Sequence, residues 1–94
     1  MPPGRFIGKT PVMAQKDDLL KAVEQALAGD RDAAHQLVQQ YESDATAAWI
    51  HAVLHKIEGD LANARYWYHR AGRMKHVEDE PRAELAAIQA QLGQ

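Results

Sequence analysis

The chain has 94 residues, a formal net charge of −2 and no cysteine. That excludes a disulfide framework, a thiolate metal site, a thiol nucleophile and any global field that would recruit nucleic acid or an acidic membrane. A chain this short buries only about 60–65% of the surface its unfolded form exposes, so one small domain with a thin core is expected. Hydrophobic content is 46%, charged content 26% and mean hydropathy −0.51, an ordinary globular balance that suits a reducing cytoplasm. No apolar run approaches the ~20 residues of a membrane span, and the first residues lack the apolar core of a secretory signal.

Residues 1–14 carry three prolines, two glycines and no helical period, and read as a flexible arm. Within them Gly4 to Thr10 is one residue short of the phosphate-loop spacing, with Pro11 where the phosphate-binding helix should begin. That motif is rejected. Residues 15–94 read as a single helical-repeat domain. The first helix is expected from Asp17 to Ala28, with Asp17 and Asp18 in its first turn and Leu19, Leu20, Val23, Ala26 and Leu27 as its stripe. Gly29 stops it and Asp30 caps a second helix, along which Ala33, Ala34, Leu37, Val38 and Tyr41 recur at three- and four-residue steps.

Ser43 or Asp44 caps a third helix over 45–58, and Gly59-Asp60 repeats the stop-and-cap device before a fourth over 61–75. Pro81 after Glu78, Asp79 and Glu80 signals a restart. The fifth helix then runs to about Gly93, with Leu85, Ile88 and Leu92 along one side. The pattern is all-α and nothing in it reads as a strand. From Lys56 to His76 the charge is +3, and from Val77 to Gln94 it is −3. Dipole complementation between the end of one helix and the start of the next accounts for that split; an electrostatic docking face is the alternative.

The two Gly-Asp pairs lie thirty residues apart, aligning Ala34 with Ala64 and Val38 with Tyr68. Such a period belongs to helical arrays. Gly59-Asp60, Ala64, Tyr68 and Ala71, with Ala52 on the preceding helix, resemble a tetratricopeptide repeat over residues 45–75. Leu54 to Arg73 is also similar to a phrase found in small uncharacterised bacterial proteins. The tetratricopeptide resemblance implies two antiparallel helical hairpins plus a C-terminal capping helix, and a protein that binds other proteins. It departs from the pattern at Trp49, one residue late for the usual aromatic, and at His51 and His55.

Three groups of side chains are candidates for function. His51, His55 and Glu58 fall within about 60° of one another on the third helix, where two imidazoles four residues apart and a carboxylate one turn on can ligate a zinc-like ion. Two other readings stand beside that one. The histidines are core residues bonded to Tyr68, Glu58 or a backbone carbonyl, or they transfer protons. On the fourth helix Leu61, Ala64, Trp67, Tyr68, Ala71 and Met74 form an inner arc, while Tyr66, His69 and Arg73 project outward beside Arg65 and Arg70. Tyr66, Arg70 and Arg73 form a cation–π ladder, and tyrosine and arginine dominate interface energetics. Trp49 is expected in the core between the first hairpin and the fourth helix.

The preferred reading is a cytoplasmic adaptor, not an enzyme. It uses no cofactor and binds a protein partner, or itself as a homodimer, through Arg65, Tyr66, His69, Arg70 and Arg73. Membrane and nucleic acid are not expected partners. The alternative is a metal-binding or proton-transfer site at His51, His55 and Glu58.

Overall fold

The computed structural model describes residues 12–93, and among them the secondary structure is entirely helical. Five α-helices follow in order: α1 (Val12–Leu27), α2 (Arg31–Val38), α3 (Ala45–Ile57), α4 (Leu61–Ala71) and α5 (Pro81–Leu92). Single 3-10 turns, Gln39–Tyr41 and Met74–His76, lead out of α2 and α4. The expected arm lies outside the described residues as far as residue 11. Helix α1 begins at Val12, five residues before the expected Asp17, because Met13, Ala14, Gln15 and Lys16 are all strong helix formers. Asp17 and Asp18 are therefore past the first turn, and Asp18 accepts a hydrogen bond from the Tyr41 hydroxyl.

The helix ends follow the caps. Asp30, Asp44, Asp60 and Glu80 each accept a hydrogen bond from a backbone N–H of the first turn they precede, satisfying donors that the helix leaves orphaned. Helix α4 stops at Ala71, four residues short of the expected Lys75. Gly72 takes a left-handed conformation (φ 70°), and the Arg73 N–H bonds back to the Tyr68 carbonyl at 2.9 Å. That is a Schellman-type end, which glycine makes possible. Met74, assigned to the inner arc of a longer helix, is accordingly exposed, and so is Leu61, in the first turn of α4.

Helix α3 is the axis. Every residue from Ala47 to Leu54 is buried, because α4 packs on it on one side and α1, α2 and α5 pack around the rest. Ala34, Ala52 and Ala64 are fully buried in the core, where a larger side chain would overpack it. Ile50, Leu54, Leu85 and Ile88 fill the centre, each contributing about 1.5–3 kcal/mol by leaving water.

Helix α5 is held by polar as well as apolar contacts. Glu84 is buried and accepts from Trp49 Nε1 (2.7 Å), from the Tyr68 hydroxyl (2.7 and 2.8 Å) and from Lys56 Nζ (2.7 Å). Lys56 Nζ also donates to the carbonyls of His76, Val77 and Asp79, so one ammonium organises the whole α4–α5 connection. Burial, with the Glu84 carboxylate beside it, pushes the Tyr68 phenol above its ordinary range, which keeps it a donor. Trp49 is buried, but its cover differs from the one expected. Besides Glu84, the His76 ring stacks on it at 5.0 Å and the Arg73 guanidinium lies 4.7 Å from its centroid.

Candidate functional site

Helices α2 and α3 bring three imidazoles together. His51, four residues before His55 on α3, is 4% exposed, and its ring lies nearly parallel to two neighbours. The His55 centroid is 4.9 Å away at 17° and the Trp67 centroid 4.1 Å away at 19°. His35, from α2, meets both histidines edge-on at 4.4 and 5.0 Å. Its Nε2 lies 2.7 Å from Nε2 of His51. One ring nitrogen from each of the three lies within 4.8 Å of the other two.

The expected third ligand, Glu58, stands outside this set, and His35 takes its place. Glu58 Oε1 is instead 3.7 Å from His55 Nδ1, and Asp60 Oδ2 is also 3.7 Å from that nitrogen. His55 Nδ1 is buried and has no hydrogen-bond partner among the described residues. The proposed bond from a histidine to Tyr68 is not made, since Tyr68 spends its hydroxyl on Glu84. His35 escaped the sequence reading because it lies on a different helix. Its one signal was its place beside Ala34, the small residue where α2 comes close to its neighbours.

Two of the three imidazoles, His51 and His35, are held toward their neutral forms. Burial, and then the neighbouring imidazoles of His35 and His55, pull His51 down to about 3. Burial and His55 likewise lower His35, against the opposing pull of Glu58 and Asp32. Only one hydrogen fits between the Nε2 atoms of His35 and His51, so one of the two presents a bare lone pair. Hydrogen bonds from Asn63 hold Asp60 below the usual carboxylate range, leaving an anion at the rim. The arrangement can therefore shuttle a proton between two rings or offer nitrogen lone pairs to a cation.

The outer face of α4 is placed differently. Tyr66 is 52% exposed. Arg70 donates to its hydroxyl at 3.1 Å and lies 5.1 Å from the Trp67 centroid. Arg65 and His69 are exposed on the same helix. Arg73 leaves the expected ladder, because the chain turns at Gly72 and carries it over Trp49. Trp67 is only half-buried and bridges the two regions, stacked on His51 and edge-on to Tyr66 at 5.2 Å. Asn63 bonds to Asp60 on its own helix cap (2.7 Å). Comparisons with protein-family models, with curated proteins and with solved structures find no match to this chain.

Proposed function

We propose that this protein binds a transition-metal ion through His35, His51 and His55. The observation that carries the reading is the convergence of three imidazole nitrogens from two helices within 4.8 Å. Three neutral imidazoles with no thiolate suit zinc, copper or nickel and not calcium or magnesium, which take oxygen ligands. A tetrahedral ion with bonds of about 2.0–2.1 Å needs its nitrogens about 3.3 Å apart. The 2.7 Å contact between His35 and His51 would open by about 0.6 Å, and a 4.8 Å gap would close by about 1.5 Å, within reach of side-chain rotation.

Titration of tag-free protein with zinc sulfate, followed by calorimetry and metal analysis, tests this. One ion per chain is expected, with affinity at least 100-fold weaker in His35→Ala. His35 is only partly buried, so that variant keeps the core. Absence of stoichiometric binding, or the same affinity in His35→Ala, overturns the assignment.

A second reading, a tetratricopeptide-like adaptor of two hairpins and a cap, is supported by the exposed Tyr66 braced by Arg70. It predicts association with a protein partner, or with a second copy, that Tyr66→Ala with Arg70→Ala abolishes in light scattering and pull-down. Unchanged association removes that face from the reading.

A further inference from the structure

We propose that Glu58 and Asp60 form an outer pair of carboxylates that holds His55 as its Nδ1–H tautomer, leaving Nε2 with the lone pair offered to the ion. The part concerning the ion rests on the metal reading above; the part concerning the tautomer does not. Both residues act through His55 and are positioning residues, not ligands.

The turn after α3 makes the pair. Gly59 has φ 82°, a left-handed conformation that a side chain disfavours, and the chain reverses there. The Asp60 N–H then donates to the His55 carbonyl at 2.9 Å, which brings the Asp60 carboxylate alongside the ring. Asn63 fixes that carboxylate, with its side chain on Oδ2 (2.7 Å), the oxygen nearer His55, and its backbone N–H on Oδ1 (3.4 Å). Glu58, at the helix end and exposed, supplies the second oxygen. Each oxygen is 3.7 Å from Nδ1, about 0.8 Å beyond an N–H···O hydrogen bond, and the proposed bond requires one of the two carboxylates to close that distance.

Burial makes the bond worth forming. An unpartnered buried nitrogen costs about 1–3 kcal/mol, and the only acceptors shown near Nδ1 are these two carboxylates. Both are acceptor-only when ionised, so Nδ1 must supply the hydrogen. A neutral imidazole protonated at Nδ1 is bare at Nε2. Metal-ligating histidines regularly give their second N–H to such a carboxylate, which fixes the ring and raises its basicity.

The joint thirty residues earlier is an internal control. It has the same glycine, the same aspartate and the same backbone bond, Asp30 N–H to Gln25 carbonyl at 2.8 Å. There, however, Gln25 stands in place of His55 and Ala28 in place of Glu58. The extra carboxylate occurs at the joint that carries the histidine.

Long-range proton–nitrogen NMR at about pH 8, where an ordinary histidine is neutral, reads the tautomer directly in the metal-free protein. Wild type should show His55 protonated at Nδ1. Glu58→Ala combined with Asp60→Ser, which keeps a helix cap, should return it to the usual Nε2–H form and weaken zinc binding by about 10–100-fold. Glu58→Ala alone, at an exposed position, should move both readouts part of the way and guards against a cap defect. An Nε2–H His55 in wild type overturns the proposal, as does an unchanged tautomer in the double variant. Zinc affinity unchanged in a double variant whose tautomer has switched overturns its role at the ion. A wild type that binds no zinc defeats the metal reading instead, and the tautomer result then decides this inference by itself.

Discussion

The two Gly-Asp joints have nearly the same backbone and different chemistry around them. At the first, Gly29 has φ 93° and the Asp30 cap has φ −94°, ψ 75°; at the second, Gly59 has φ 82° and Asp60 has φ −90°, ψ 76°. Each aspartate accepts from the N–H three residues on, at 3.2 and 3.4 Å. The surroundings diverge because the helices before them have different neighbours. Helix α1 keeps Lys21 exposed; Gln25 is half-buried, as His55 is, and each has one buried side-chain atom without a hydrogen-bond partner among the described residues. The counterparts of Lys21 and Gln25 thirty residues later, His51 and His55, lie under α2 and Trp67. The same frame is used twice, and what packs over it decides which side chains are brought together there.

The largest difference between the two helix pairs is the polar hub that only the second one has. Leu19, the counterpart of Trp49, is buried by apolar contact alone, whereas Trp49, Tyr68 and Lys56 all converge on Glu84. Removing one partner of a buried ion pair strands the other. Glu84→Ala should therefore cost about 3–5 kcal/mol, enough to unfold much of a small domain. Glu84→Leu combined with Lys56→Met, which removes both charges, should recover the part of that loss due to the stranded ammonium, with the Trp49 and Tyr68 donors still unpaired. Urea denaturation of the three proteins checks this. A cost below about 1 kcal/mol for Glu84→Ala would mean that α5 is held by its leucine and isoleucine alone.

Acid should separate the pairs next. His51 has its pKa lowered to about 3 in the fold from about 6.5 unfolded, so between those values the unfolded chain binds the extra proton. The stability that its neutral form contributes is complete above about pH 6.5 and is lost as pH falls towards 3. At pH 5 the deficit relative to pH 7 is about 2 kcal/mol, and the lowered His35 acts in the same direction. Metal-free protein should melt at lower temperature at pH 5 than at pH 7, with a smaller difference in His51→Leu. A wild-type profile flat from pH 7 to 5 would place His51 in water.

Much of this frame was legible in the residues. The glycines that need φ above zero, the aspartates that cap and the thirty-residue spacing are local signals, and the joints stand where those signals put them. The fourth helix ends four residues before the expected Lys75 because Gly72 turns the chain, and that one glycine displaces Arg73 from the cation–π ladder and Met74 from the inner arc. The candidate site was legible by halves. His51 and His55 share a helix face that periodicity reveals, whereas His35 joins them only through packing of α2 on α3, which no local pattern encodes. Glu84 was hidden for a related reason. A charged residue in a first helical turn looks like dipole complementation, and only the tertiary structure turns it inward.

The smallest expected effect bears most directly on why the second joint differs from the first. Serine and aspartate are nearly equivalent N-caps, so Asp30→Ser and Asp60→Ser should each change stability by only a few tenths of a kcal/mol, matched within error in chemical denaturation. Asp60 also holds the Asn63 side chain, but that pair is exposed, where such a bond adds little. If the two substitutions prove equal, capping explains an oxygen at both positions and leaves the choice of a full carboxylate at position 60 to be explained by what lies beside it. What lies beside it is the buried nitrogen of His55. If instead Asp60→Ser costs more than about 1 kcal/mol beyond Asp30→Ser, the carboxylate is holding the helix joint itself, and the difference between the joints is one of folding and not of chemistry.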